Sequence, residues 1–187
     1  MNFEDKNFLI PFLQKCRDKD RNCQQQLYRQ LFAFAMKIGL RYAKTREEAQ
    51  EIVNDGFVKI FAKLDKYNSD LSFLGWVRKI MVNTSIDHYR RNMIHYDTLD
   101  MSYAETSSVT PEVMQKMSAE DLLNFVRQLP NAYRMVFNLY AIEGYNHREI
   151  GEILNINEGT SKSNLAKARV KLKKMIEEQL ERGQKYG

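Results

Sequence analysis

The stretch REIGEILNINEGTSKSNLAKARVKLKK, residues 148–174, decides how the C-terminal part of the chain folds. Apolar residues recur at helical spacing on both sides of the four residues NINE. Within that interruption, Asn155 accepts a positive φ at low cost and Asn157 is a favoured helix N-cap. The pattern therefore predicts a short helix over about 147–154, a tight turn and a second helix. The predicted buried stripe of the second helix is Ser161, Leu165, Ala168 and Leu172.

The second predicted helix carries charge of one sign. From Gly159 to Lys174 the sequence contains six Lys or Arg residues and no Asp or Glu. A helix with a buried stripe and exposed cations can enter a DNA groove, because cations neutralise phosphates and polar side chains reach base edges. An ordinary helical hairpin with a solvated basic face shows the same asymmetry. The stretch alone leaves both interpretations open.

The rest of the chain also has helical periodicity. Apolar residues recur at three and four positions along most of its 187 residues, without sustained alternation, which predicts an all-α protein. The pattern Thr45-x-x-Glu48 is a capping box and opens one of the helices. The helices predicted upstream of the opening stretch cover about 8–17, 22–43, 45–64, 72–91, 118–129 and 131–143.

A change of composition divides the chain. Residues 96–115 contain four acids, no Lys or Arg and several Ser and Thr, which is typical of a flexible acidic linker. The predicted organisation is therefore two small helical domains, 1–95 and 117–187, joined by a linker over 96–116. The second domain contains the helix-turn-helix.

Composition limits the classes of function. A net charge of +5 favours polyanionic partners. The three histidines lack metal-ligand spacing, and no phosphate loop or nucleophile–base signature occurs, so we expect no metal, no cofactor and no enzymatic activity. Cys16 and Cys23 are the only cysteines, and we expect them to be buried or inert rather than bridged, as in a reducing compartment. Early acids at the N-terminus and the lack of a transmembrane-length segment predict a cytoplasmic protein without membrane insertion.

Two segments together resemble a known family. EEAQEIVNDGFVKIFAKLDKYN (47–68) with SFLGWVRKIMVNTSIDHYRR (72–91) resembles the promoter-opening domain of bacterial sigma factors. LPNAYRMVFNLYAIEGYNHREIGEILNINEGTSKSNLAKARVKLKKMI (129–176) resembles their upstream-promoter domain. With a short linker and no domain between them, the chain resembles an extracytoplasmic-function (ECF) sigma factor. The resemblance implies binding to core RNA polymerase and promoter DNA, with an anti-sigma factor as a candidate further partner.

The resemblance implies three sets of site residues. In the family, one helix grips the β′ coiled coil of core polymerase, and the β subunit is also a partner. The corresponding residues here are Glu51, Ile52, Asp55, Val58 and Lys59. For the −10 element they are Lys66, Tyr67, Asn68, Ser69 and Phe73 in a base-capturing loop and Asn83, Thr84, Asp87, Arg90 and Arg91 on the next helix. For the −35 element they are Arg148, Thr160, Lys162, Ser163, Asn164, Lys167, Arg169 and Lys171. For Ile52, plain core packing is an equally good interpretation, and Trp76 is expected in the core.

The sequence departs from the family pattern at Gly56, Gly151, Ser161 and Asn164. These departures leave the promoter sequence open. The alternative function is a stand-alone helix-turn-helix regulator, which would need a dimerisation or ligand domain that nothing here resembles. A protein-binding adaptor whose DNA surfaces have degenerated is a second rival, and the intact run of cations argues against it.

Overall fold

The computed structural model describes residues 3–93 and 119–184, in which all regular structure is helical. The chain divides into two compact units, Met1–Arg91 (unit 1) and Asn92–Gly187 (unit 2), and each is described by itself. The predicted linker over 96–116 lies outside the described residues. Within the described ranges, no helix is both long and apolar enough to span a bilayer.

Unit 1 is built from four α-helices and a short 3₁₀ turn. They are α1 (Lys6–Arg17), α2 (Arg21–Tyr42), α3 (Arg46–Lys63), the 3₁₀ turn (Leu64–Lys66) and α4 (Phe73–Met93). Asp20 caps α2 by accepting hydrogen bonds from the backbone N–H groups of Asn22 and Cys23 at 2.8 and 3.1 Å. Thr45 caps α3 by accepting from Glu48 N at 3.1 Å. In return, the Glu48 carboxylate accepts from Lys44 N, one residue before the cap that the sequence pattern predicts.

The core of unit 1 draws on all four helices. Its buried side chains include Leu9, Leu13, Leu27, Leu31, Ala35, Ile38, Ile52, Val53, Ile60, Val77, Met81 and Ile86. The departure at Gly56 has a structural reason, because a Cβ at this position would overlap the Met81 thioether. Met81 from α4 thus fills the space in which a bulkier residue on α3 would lie, and flexible methionine suits such gaps.

The expectation that Cys16 and Cys23 are unbridged is wrong. Both side chains are buried, as expected, but they form a disulfide between the end of α1 and the start of α2. The connection from Asp18 to Asp20 reverses the chain, with Lys19 at a φ of 63°. The two Cα atoms therefore lie 5.2 Å apart, within the range that a disulfide spans. Sequence spacing alone could not show this reversal.

Unit 2 contains α5 (Ala119–Gln128), α6 (Asn131–Phe137), a π-helical turn (Asn138–Ile142), α7 (His147–Leu154) and α8 (Glu158–Gln184). The helix predicted over 131–143 is thus present but ends as a π-helical turn, and Gly144 follows it at a φ of 79°. The core between α5 and α8 consists of Phe125, Val126, Leu129, Ala168, Leu172 and Ile176.

A buried arginine joins α5 to α6. The Arg134 side chain is 2% exposed. It donates from Nη1 to the carbonyl oxygens of Arg127 and Leu129 at 2.8 and 3.4 Å, and from Nη2 to Asn131 Oδ1 at 2.6 Å. The carbonyls at the end of a helix have no intrahelical donor, so Arg134 satisfies groups that burial would otherwise leave unpaired.

The predicted helix–turn–helix is confirmed in its local details. Asn146 and Glu149 form a reciprocal capping box at the start of α7, and Asn155 ends that helix at a φ of 55°. Asn157 Oδ1 then accepts from Thr160 N at 2.6 Å, capping α8. A Cβ at Gly151 would lie 2.8 Å from the carbonyl oxygen of Ile156, so this glycine lets the turn fold closely against α7.

Candidate nucleic-acid interface

Helix α8 separates its buried and exposed faces as the sequence predicts. Its stripe of Ser161, Leu165, Ala168 and Leu172 is buried. The −35 candidates on the opposite sides are exposed or half-buried. The exposed ones are Arg148, Lys162, Ser163, Arg169 and Lys171, and the half-buried ones are Thr160, Asn164 and Lys167. The folded unit therefore presents all of these side chains except Arg148 along α8, and Arg148 lies in the first turn of α7.

Two of these cations are oriented by neighbouring side chains. Lys162 Nζ lies 2.7 Å from Glu158 Oε1, one turn earlier on α8. The hydrogen bond and charge of Lys162 lower the pKa of Glu158. The Lys167 ammonium lies 5.9 Å from the centroid of the Tyr133 ring. The stems of both lysines are thereby held along the surface while their charges stay accessible.

A cluster of Tyr140, His147, Ser161 and Arg169, which the sequence did not predict, lies beside these cations. The Tyr140 and His147 rings stack at 4.6 Å with an interplanar angle of 21°. His147 Nδ1 lies 3.0 Å from the hydroxyl of Ser161. The Arg169 guanidinium lies 5.8 Å from the centroid of the Tyr140 ring. Tyr140 is thus exposed on one side and links the π-helical turn to α7 and α8.

Burial and charge both act on His147. Desolvation by burial lowers its pKa most, and the nearby charges of Lys162 and Arg169 lower it further. Glu158 acts in the opposite direction and raises the pKa. The imidazole is therefore disposed to be neutral at neutral pH. One sequence signal could have pointed to the cluster: Ser161 stands in an apolar stripe, and a buried hydroxyl requires a partner.

In unit 1, the loop predicted to capture a base is held in a defined shape. Tyr67 donates its hydroxyl to Leu71 O at 2.6 Å, and Leu71 N donates to Asn68 O at 3.1 Å. Asn68 Oδ1 accepts from Asp70 N at 2.9 Å. Burial, followed by the charge of Asp70, raises the pKa of Tyr67. Leu71, which sequence analysis did not select, is 62% exposed on this ordered loop.

The aromatic residues predicted to line the loop are mostly internal. Tyr67 and Phe73 are buried, and their ring centroids lie 5.1 Å apart. The Trp76 ring lies 5.4 Å from Tyr67 and 5.8 Å from Phe73, so it belongs to the same cluster, although it is only half-buried. Tyr67 and Phe73 therefore pack in the interior and support the loop. Lys66, Asn68 and Ser69 are the loop candidates whose side chains reach the surface.

The candidates on α4 divide into two groups. The placement of Thr84 on the exposed face is wrong, because its side chain is fully buried and donates to Ile80 O at 2.8 Å. Asn83 and Arg90 are exposed as predicted. Asp87 and Arg91 reach the surface but form ion pairs with α3, which are described next.

Ion pairs connect the predicted DNA surface of α4 with the predicted polymerase surface of α3. Lys59 Nζ lies 2.8 Å from Asp87 Oδ2, and Arg91 Nη2 lies 2.9 Å from Asp55 Oδ2. All four side chains are at least one-third exposed. Residues that the sequence assigned to two separate sites therefore contact each other on the surface of unit 1.

The remaining docking candidates on α3 differ in how far their side chains are exposed. Ile52 is 1% exposed, so its assignment to a docking surface is wrong and the core interpretation holds. Val58 is 68% exposed, an unusual position for an aliphatic side chain. The Glu51 carboxylate is largely exposed and lies 3.6 Å from Nε2 of the buried His88. Glu51, Asp55, Val58 and Lys59 are thus available on the outer face of α3.

Within the described residues, the folded units define a class of protein: a helical protein with a helix–turn–helix in unit 2. A family profile described as Sigma-70 region 2 matches residues 25–93, and one described as Sigma-70, region 4 matches residues 119–172. The chain is 32% identical over 142 residues to the ECF RNA polymerase sigma factor SigW of Bacillus subtilis, covering 69% of this chain and 75% of that protein. The chain therefore belongs to the ECF sigma factors of bacterial RNA polymerase.

A second curated relative has the same family name. The ECF RNA polymerase sigma factor SigE of Mycolicibacterium smegmatis is 26% identical over 153 residues, covering 79% of this chain and 59% of that protein. Among solved structures, the sigma factor RpoE in complex with the anti-sigma factor NepR from Bartonella quintana aligns at a TM-score of 0.47 and 17% identity. That alignment covers 82% of this chain and 96% of RpoE.

Proposed function

We propose that this sigma factor binds core RNA polymerase, recognises a −35 element with unit 2 and a −10 element with unit 1, and nucleates strand opening. The observation that carries the proposal is the face of α8, where base-reading and phosphate-binding candidates stand opposite a fully packed stripe. Such a rigid helix is the part of a helix–turn–helix that enters the major groove. In this proposal the chain performs no covalent chemistry.

At the −35 element, Lys162, Ser163 and Lys167 are the proposed base contacts. Lysine donates to guanine O6 and N7 in the major groove, and serine can donate to or accept from several base edges. Arg148 and Lys171 are the proposed phosphate contacts, which set register without reading sequence. The Glu158 carboxylate beside Lys162 fixes the direction of that lysine before DNA arrives.

At the −10 element, the ordered loop of unit 1 is the proposed site of base capture. A base held outside the stack needs an apolar surface and polar groups at its edge. Leu71 offers the apolar surface, Asn68 and Ser69 the polar groups, and Lys66 a cation nearby. Because Tyr67 fixes the loop through Leu71 O, little ordering entropy would be lost on capture.

The outer face of α3 is the proposed docking surface for the β′ coiled coil of core polymerase. It combines an exposed aliphatic residue, Val58, with the carboxylates of Glu51 and Asp55. An apolar centre with charged neighbours suits a helical partner. An anti-sigma factor that covers such surfaces is the second proposed partner, in line with the family.

Run-off transcription with core polymerase on a promoter library tests the proposal as a whole. We expect core-dependent initiation from a subset of templates. On a selected template, Lys162→Ala should weaken binding by about 1–3 kcal/mol, whereas on random DNA the loss should be smaller. Lys174→Ala is the matched control, since this lysine lies on the same helix beyond the base-reading positions and its side chain is 77% exposed.

Separate measurements test the other two surfaces. Glu51→Lys with Asp55→Lys should reduce co-elution with core polymerase, and unchanged co-elution would exclude α3 as the docking surface. Asn83→Ala should reduce permanganate reactivity of the −10 region more than it reduces closed-complex binding. Promoter binding without any core-dependent transcription would instead identify a stand-alone regulator.

A further inference from the structure

The contact between His147 and Ser161 joins the two helices of the helix–turn–helix through polar groups. Ser161 is fully buried in the stripe of α8, and its hydroxyl lies 3.0 Å from His147 Nδ1. In α4, the buried hydroxyls of Thr84 and Ser85 donate instead to carbonyl oxygens one turn earlier in the same helix. Ser161 thus contacts a side chain of α7, at a position that the periodicity assigns to an apolar residue.

The direction of this contact depends on which imidazole nitrogen carries the proton. A buried hydroxyl needs an acceptor, and an unprotonated Nδ1 is one. When Nδ1 accepts from Ser161, the proton of the neutral ring resides on Nε2, which becomes a donor. The ring plane is fixed as well, because Tyr140 from the π-helical turn stacks on it at 4.6 Å. His147 is therefore a half-buried side chain with a defined orientation and one remaining N–H group.

The charged groups around the ring favour an anion. Lys162 and Arg169 of α8 face His147 and lower its pKa, after the larger effect of burial, while Glu158 of α8 raises it. Arg148, the next residue on α7, is exposed and lowers the pKa of Glu158. The charged groups near the ring thus comprise three cationic side chains and one carboxylate. A phosphodiester beside the ring would reduce the repulsion that disfavours the protonated imidazole.

We propose that His147 is a further DNA-backbone contact of this sigma factor: its Nε2–H donates to a phosphodiester, and on binding Nδ1 takes up a proton, so that the Ser161 hydroxyl changes from donating to Nδ1 to accepting from it. The inference rests on the proposed binding of DNA by α8. The pKa of His147 is low in the free protein, and a bound phosphate raises it. The complex then holds more protons, so affinity rises as pH falls through the raised pKa and levels off below the lowered one.

Binding to a short random-sequence duplex, measured by fluorescence anisotropy on the full chain, tests this proposal, because backbone contacts do not depend on sequence. Between about pH 8 and about pH 6, on either side of the ordinary imidazole pKa, we expect the affinity to rise roughly tenfold. At the lower pH one more cation neutralises phosphate, so the slope of log K against log salt should steepen by about one. His147→Gln should remove both effects.

Matched variants distinguish the loss of a DNA contact from the loss of folded structure. Ser161→Thr retains the hydroxyl and should retain the affinity, whereas Ser161→Val should lose several-fold at both pH values while its circular dichroism is unchanged. His95→Gln should leave the pH dependence intact. If His147→Gln binds DNA with the same pH and salt dependence as the parent protein, the inference is overturned. If the parent protein does not bind DNA at all, the proposed function of α8 fails instead.

Discussion

Replacing Arg134 with leucine should destabilise unit 2 while leaving unit 1 intact. The guanidinium serves the carbonyls of Arg127 and Leu129 at the end of α5 and the amide of Asn131 at the start of α6. A hydrogen bond to a charged group contributes about 1.5–3 kcal/mol net, and a buried carbonyl left unpaired costs about 1–3 kcal/mol. Allowing for non-additivity and for the apolar replacement, we expect the free energy of unfolding of unit 2 to fall by roughly 3 kcal/mol.

The single tryptophan makes the measurement specific to each unit. Trp76 lies in unit 1, so its fluorescence follows the unfolding of that unit, whereas far-ultraviolet circular dichroism follows the helices of both. With a urea m-value of about 1 kcal/mol per molar for a small unit, the dichroism midpoint of unit 2 should fall by about 3 M. The Trp76 midpoint should remain where it is in the parent protein.

Two control variants complete this experiment. Lys174→Met removes a positive charge at an exposed position and should change stability by less than about 0.5 kcal/mol. Arg134→Lys keeps the charge but not the planar fork of donors, so its loss should be intermediate. The role assigned to Arg134 is refuted if Arg134→Leu unfolds at the same urea concentration as Lys174→Met, or if it shifts the Trp76 transition as much as the dichroism transition.

Gly151→Ala should destabilise the helix–turn–helix by about 1 kcal/mol, because displacing the Ile156 carbonyl outweighs the better helix propensity of alanine. The measurement is the urea midpoint followed by circular dichroism, and Gly75→Ala is the control. A Cβ at Gly75 meets only ordinary van der Waals contacts, so equal losses of stability in the two variants would contradict the close approach of the turn to Gly151. The Cys16–Cys23 disulfide predicts no reactive thiol in unreduced, denatured protein and two after reduction. Cys16→Ser should lower stability by about 2–3 kcal/mol, the value expected for so short a loop, and detection of free thiols before reduction would contradict the bridge.

Local chemistry explains what could be predicted from the sequence. The caps at Thr45, Asn146 and Asn157 and the positive φ at Asn155 depend on residues within one helical turn. The stripe of α8 is equally local, because it repeats along a helix packed on one side. These features fixed the position of the helix–turn–helix and most of its exposed cations.

The features that were predicted wrongly or missed depend on contacts between residues that are distant along the chain. Positions 80–82 and 84–86 of α4 are all buried, so periodicity could not show which side of that helix faces outward, and Thr84 was misplaced. The partner of Ser161 is His147, fourteen residues earlier on another helix. Likewise, the chain reversal that brings Cys16 to Cys23 depends on a left-handed residue, Lys19, whose type does not favour that conformation.

If unit 1 binds DNA as proposed, the pairs Lys59–Asp87 and Arg91–Asp55 would change how that binding responds to salt. Each carboxylate acts as a permanently attached counterion for the cation beside it. When DNA displaces such a group, no small ion is released to the solution from that cation, so the entropy gain that normally accompanies phosphate neutralisation is reduced. Under the proposed function, a polymerase surface that engages Asp55 would release Arg91 at the same time. One carboxylate would thereby make affinity for promoter DNA depend on whether the polymerase is already bound.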